Sequence, residues 1–179
     1  MKIKGNVNLN DNFYAKGEVN FDSAQIYGNL NCDSGNIINE NGYSLYCQNI
    51  KILGDVFLRE KFYVKGDVDF YSAQIERTFA LNDFWIIGDL ILLSSKIDEL
   101  DINIENLEKI NNFELDGLEY NHIKTKTLNF KWLEKMSEFK PQPYKQLAKV
   151  LEIMGHNKES NDIMIEYNVA LKYDTTSLE

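Results

Sequence analysis

Apolar residues in the first two thirds of this chain recur at alternate positions and are interrupted at regular intervals by glycine. Gly5, Gly17, Gly28, Gly54, Gly66 and Gly88 each open the pattern Gly-x-Φ-x-Φ, where Φ is apolar. The Φ pairs are Val7/Leu9, Val19/Phe21, Leu30/Cys32, Val56/Leu58, Val68/Phe70 and Leu90/Leu92. The residues four and two places before a glycine, or before its equivalent in a degenerate unit, alternate in the same way: Phe13/Ala15, Ala24/Ile26, Ile50/Ile52, Phe62/Val64, Ala73/Ile75 and Phe84/Ile86. Period-two alternation predicts short strands with one buried face, and a central glycine predicts a bend where a Cβ would crowd or φ must turn positive.

The glycines are spaced by 12, 11, 26, 12 and 22 residues. The gap of 22 hides a degenerate unit in which Arg77 takes the glycine position before Phe79 and Leu81. The gap of 26 hides another around Tyr43, Leu45 and Cys47, with a small insertion. A longer repeat overlies these units. FYAKGEVNFDSAQI, from Phe13, returns as FYVKGDVDFYSAQI, from Phe62, with ten of fourteen positions identical. The Asn-Gly and Asp-Gly hairpin turns of an antiparallel meander are missing from the unit boundaries. Like residues at a fixed register predict stacked coils of two units, about 22–24 residues each, at the ordinary strand spacing of about 4.8 Å. The expected fold class is mainly β: a right-handed parallel β-helix (solenoid) over residues 1–131, closed by a helical hairpin and tail over residues 132–179. Past Leu92 the glycine is lost while apolar spacing continues through Leu100, Ile102, Ile104, Leu107, Ile110, Phe113, Leu115, Leu118, Ile123, Leu128 and Phe130. That stretch predicts one or two irregular coils, with a leucine-rich-repeat-like arc as the competing reading.

The period changes after Lys131. Pro141 and Pro143 open a helix with Tyr144, Leu147, Ala148, Leu151 and Met154 on one face. Gly155 is expected to end it in the left-handed conformation. Asn157 is the candidate N-cap of a second helix that turns Ser160, Ile163, Met164, Tyr167 and Leu171 inward, with residues 175–179 fraying. The spacing resembles a single tetratricopeptide-type unit. Such a unit must pack on something: it either caps the open sheet edge of the β-helix or forms a docking surface.

The repeat unit F-x-[AV]-x-G-x-V-x-F-x-x-A-x-I, followed by KPQPYKQLAKVLEIMGH, resembles bacterial β-helical proteins related to the pentapeptide-repeat proteins. The resemblance covers roughly residues 5–92 and 139–167. It implies a β-helix, and it carries no catalytic residue onto this chain. Longer proteins of this type have membrane segments after the hairpin, whereas here the most apolar run, Trp85 to Leu93, contains Asp89 and is too short to span a bilayer. MKIKGNVNLN has no apolar core of a signal peptide, so a cytoplasmic location is expected.

The formal net charge is −9. Residues 140–179 contribute −1, from five lysines and six acids. The repeat region, with 14 basic and 22 acidic residues, contributes −8. That sign argues against direct nucleic-acid binding and is compatible with a basic or nucleic-acid-handling protein partner. The acids expected on the outer walls are Glu18, Asp55, Asp67, Asp69 and Asp89, alongside Asn6 and Asn29. Asp67 and Asp69 are expected on one outward strand face, where a solvated surface is favoured over a calcium site. Tyr14 and Tyr63 match across the repeat and point outward beside Lys16 and Lys65. These seven acidic and tyrosine residues are the candidate partner-binding set.

Catalytic and cofactor chemistry is not suggested. His122 and His156 are the only histidines, no metal-ligand spacing or phosphate-binding glycine fingerprint occurs, and no cofactor or metal is expected. Cys32 and Cys47 lie in alternating apolar stretches and are expected to be buried free thiols. The leading expectation is a non-enzymatic protein–protein interaction or scaffold protein. Its sharper form is an acidic inhibitor of a nucleic-acid-handling protein, of the phage anti-defence type. The alternative is a self-assembling, bactofilin-like structural β-helix. The oligomeric state is left open, a homodimer included.

Overall fold

The computed structural model describes residues 1–102, 110–126 and 130–176. Ile104, Leu107 and Leu128, named above, lie outside these residues, as do Ser177, Leu178 and Glu179 of the tail.

The chain winds as a four-walled parallel β-solenoid. The first coil is made of β1 (Lys2–Ile3), β2 (Val7–Asn8), β3 (Tyr14–Lys16) and β4 (Val19–Asn20), one strand per wall. The second contains β5 (Gln25–Ile26), β6 (Leu30–Asn31) and β7 (Asn36–Tyr46), the last covering two walls. The third is β8 (Lys51–Ile52) and β9 (Val56–Asp69); the fourth is β10 (Gln74–Ile87) and β11 (Leu90–Ile91). The fifth holds β12 (Lys96–Ile102) and β13 (Phe113–Glu114), and β14 (Glu119–Lys124) begins a sixth level. This amounts to about five turns. After Leu92 the described strands β12, β13 and β14 continue the stack in register, in place of an arc.

Every pairing between the described strands is parallel, and the inward positions set apolar on apolar. On the first wall Ile3, Ile26, Ile52, Ile75, Ile97 and Tyr120 stack in a column. On the second, Val7, Leu30, Val56, Phe79, Leu100 and Ile123 do the same. These columns form one continuous core with Phe62, Phe70, Phe84 and Phe113, and Phe70 meets Phe79 edge-on at 5.1 Å. Burying a side chain of this size contributes roughly 1.5–3 kcal/mol. The degenerate units predicted at Phe79/Leu81 and at Tyr43/Leu45 hold their places: Leu81 pairs with Leu58, and Leu45 with Val68 across a bulge that absorbs the insertion.

Two kinds of corner alternate around each coil. At one pair of corners glycines stack on glycines. A Cβ on Gly54 would meet Gly28 O at 2.6 Å, and Gly66 takes φ +124°. At the other pair the left-handed position is held by residues other than glycine until Gly117. There Asp11, Ser34, Glu60 and Asp83 form one column of left-handed residues, and Ser23, Asn49, Ser72 and Ser94 form another. Left-handed backbone in non-glycine residues is uncommon, and here one column is mainly serine. The buried position that follows these serines is filled by Ala24, Ala73 or Ser95, and Ser95 Oγ accepts from Ala73 N at 3.0 Å.

At the C-terminal end a 3-10 helix (Lys131–Lys135) lays Trp132 against Phe113, ring centroids 5.9 Å apart. It is followed by α1 (Pro141–Ile153) and α2 (Asn157–Thr176). Tyr144, Leu147, Ala148 and Leu151 are buried as expected, joined by Val150. Met154 is a correction. It follows the helix and is 38% exposed, because the chain leaves the helix for Gly155 at φ +85°. Asn157 is also corrected: it is the first helical residue, and His156 O accepts the Ser160 N–H at 2.9 Å. The two helices pair through Ser160 Oγ, which donates to Ala148 O at 2.8 Å, and through the Tyr144–Tyr167 ring contact. No helix among the described residues is long and apolar enough to cross a membrane.

Candidate functional site

Most of the acids expected on the outer walls are built into the corners. Asn6 Oδ1 accepts from Asn29 N at 2.9 Å, Asn29 Oδ1 from Asp55 N at 2.8 Å, and Asp55 Oδ1 from Thr78 N at 3.1 Å. A second ladder runs from Asp67 Oδ1, which accepts Asp89 N at 2.9 Å, to Asp89 Oδ1, which accepts Asn112 Nδ2 at 3.0 Å. Each side chain satisfies a backbone N–H or amide of the next coil that has no partner in the strand ladder. Asp55, Asp67 and Asp89 are therefore half-buried acceptors. Glu18 alone of the five is fully on the surface, accepting from Asn20 Nδ2.

Asp69 departs furthest from expectation. It is 1% exposed, and its carboxylate accepts from Gln48 Nε2 and Tyr71 N, both at 2.7 Å. Asp67 and Asp69 thus do not form a solvated pair on one strand face. Asp69 keeps the outward register of Tyr46 and Ile91, between the buried Val68 and Phe70, and is closed off from solvent where Gln48 and the Tyr71 N–H bond its carboxylate. The Tyr43 phenol is pushed above its ordinary pKa by burial and by the nearby Asp69 and Asp67.

The third wall has a different character. Tyr14, Asn36, Tyr63 and Trp85 stand in one register column, and Lys16, Ile38, Lys65 and Ile87 in the next outward one. Tyr14 is 59% exposed, Trp85 44% and Ile87 45%. Lys65 Nζ donates to Glu40 at 2.6 Å, which holds the Glu40 carboxyl below its ordinary range. The sequence singled out Tyr14 and Tyr63 through the repeat. It missed Trp85 and Ile87, whose coil lacks the FYxKG motif but keeps its spacing.

The first and second walls pair much of their charge. The first pairs Lys51 with Glu76 at 2.9 Å and Lys96 with Glu119 at 3.2 Å. On the second, Arg59 clamps Asp33 with two bonds, 3.1 and 2.6 Å, and stacks over Phe57. An open groove of about 590 Å³ runs between the first wall and α1. Its amides are already engaged. Gln142 Nε2 donates to Leu118 O at 2.8 Å, Gln142 Oε1 accepts from Gly117 N at 3.1 Å, and Gln146 Nε2 donates to Tyr120 O at 2.7 Å. The two glutamines of the PQPYKQ motif stand where the next coil would be, so α1 caps the final edge. Cys32 and Cys47 are buried and free, with both thiols pushed up by burial. Among the described residues no three His, Cys, Asp or Glu side chains are grouped to hold a metal ion.

The architecture is that of a β-solenoid, capped by helices at one end. Comparison with protein families, characterised proteins and solved structures finds nothing that matches this chain.

Proposed function

We propose that this chain is a non-enzymatic protein–protein interaction module whose recognition surface is the third wall. The aromatic column of Tyr14, the half-buried Tyr63 and Trp85, with Ile87 exposed in the column beside it, carries this reading. Aromatic anchors surrounded by a charged rim are the residue types that dominate protein interfaces. Here they stand on a wall fixed by parallel ladders, so little ordering entropy is lost on binding. The acidic-inhibitor form, like its anti-defence role, draws less support. Three of its carboxylates are occupied by corner ladders and Asp69 is buried, while lysines alternate with acids on the first wall.

The test is an affinity pull-down from host lysate with mass spectrometry, at low and high salt, comparing the native chain with Tyr63→Ala/Trp85→Ala. The proposal expects a partner that survives high salt and is lost from the double variant. A partner that is released by salt, handles nucleic acid and is indifferent to the double variant would replace it with the acidic-inhibitor reading.

A further inference from the structure

The two ends of the solenoid differ. The last coil is covered by α1, whereas β1, β2, β3 and β4 each pair only with the strand that follows them in the stack. Ile3, Val7, Phe13, Ala15, Val19 and Phe21 are consequently only partly buried at that end.

One residue there meets nothing among the described residues that calls for its type. Glycine is required at Gly28, Gly54, Gly66 and Gly88 because a Cβ would strike the coil on the N-terminal side: Gly5 C at 2.8 Å for Gly28, Gly28 O at 2.6 Å for Gly54, Gly42 O at 2.6 Å for Gly66, Gly66 C at 2.5 Å for Gly88. Gly5 occupies the same corner in the first coil. A Cβ there meets nothing within 4 Å, and its φ is outside the left-handed region. A glycine in this position fits a chain stacked on the end of the solenoid.

We infer that the stacked chain is a second copy, docked head to head about a two-fold axis. A coil climbs one strand spacing per revolution, so the end is a ramp with a single step, between Asp22 and Lys2. An axis through that step is the orientation in which the ramps of two copies stay equidistant all round. It leaves the coil on the opposite side, near Asp11. Across that axis the first coil reads as a palindrome: Gly5 faces the partner's Gly17, Ile3 its Val19, Val7 its Ala15, and Leu9 its Phe13. The apolar ends meet apolar ends, and the glycine corner meets a glycine corner. Charge follows the same register. Lys4 falls opposite the partner's Glu18, and Lys2 between its Asn20 and Asp22; all five side chains are exposed in the monomer. The interface is isologous, so it closes at two chains, and the α1 cap blocks growth from the other end. This inference goes beyond the binding role of the third wall and stands independently of it.

The test is analytical ultracentrifugation of the full chain over a concentration series. The native chain is expected to be a dimer. Lys4→Glu and Glu18→Lys each set two like-charge pairs across the axis and are expected to weaken it about tenfold or more, with the double swap restoring it. Gly5→Val is expected to abolish the dimer while leaving the melting temperature of the monomer unchanged. A native chain that stays monomeric overturns the inference. So does a dimer that tolerates Gly5→Val, one indifferent to both charge reversals, or a double swap that fails to rescue.

Discussion

Removing the two glutamines that end the solenoid tests the cap quantitatively. Gln142→Ala deletes the donor to Leu118 O and the acceptor for Gly117 N; Gln146→Ala deletes the donor to Tyr120 O. All three bonds lie in partly buried surroundings, where no following coil replaces them. At about 1 kcal/mol per bond, with more where a group stays dry, the double variant is expected to lose about 3 kcal/mol. That is a factor of roughly 150 in the folded-to-unfolded ratio and a large share of a typical domain's stability. Urea unfolding followed by far-ultraviolet circular dichroism measures it, and the slope m should be unchanged because the same surface is exposed. Lys149→Ala, on an exposed position of the same helix, is the control and should stay within about 0.5 kcal/mol. If the double variant also stays within that range, the glutamines do not cap the edge and the helical pair is held by its apolar face alone.

Three further outcomes follow from the same geometry. Asp69→Ala leaves Gln48 Nε2 and Tyr71 N without their acceptor and is expected to cost about 3 kcal/mol in urea melts, whereas Asp69→Asn keeps one acceptor oxygen and should cost about half of that. Tyr120→Phe removes a buried hydroxyl that has no hydrogen-bond partner among the described residues, so the variant should be as stable as the native chain or up to about 1 kcal/mol more stable; a loss above that size would mean the hydroxyl is bonded. Cys32 and Cys47 should resist thiol reagents until the chain unfolds, and their raised pKa values set a sign. Stability is fully present below the ordinary thiol value, near 9, and falls as pH rises beyond it, because the unfolded chain releases protons that the folded chain retains. Fast labelling of the native protein at neutral pH would contradict the burial of both.

Much of the architecture was legible because the solenoid repeats its physics. The Gly-x-Φ-x-Φ units marked which residues face inward, and even Arg77, in place of glycine, left its strand readable through Phe79 and Leu81. The corners whose left-handed residue is not glycine were not legible. Ser23, Ser34, Ser72 and Ser94 take left-handed backbone that no composition rule assigns to serine, although their recurrence before a small residue was visible in the repeat. Alternation placed Asp69 on the outer side of Val68 and Phe70, where it stands, but it did not show that Gln48 and the Tyr71 N–H would close over its carboxylate. The corner ladders escaped for a related reason. An Asn or Asp after glycine reads as a solvent-facing side chain until the next coil supplies the N–H that it accepts. The glutamines of the C-terminal motif looked like solvent residues of a helix, because the edge they cover is made by residues more than twenty positions earlier.

The recognition role of the third wall can be read from one side chain. Trp132 and Trp85 are the only tryptophans, and Trp132 is buried against Phe113. Trp132→Phe therefore leaves Trp85 as the sole reporter. Titration with the captured partner should shift its emission to the blue and shield it from acrylamide quenching. Emission and quenching that stay unchanged at saturation would place the partner elsewhere on the protein and contradict the proposed binding surface.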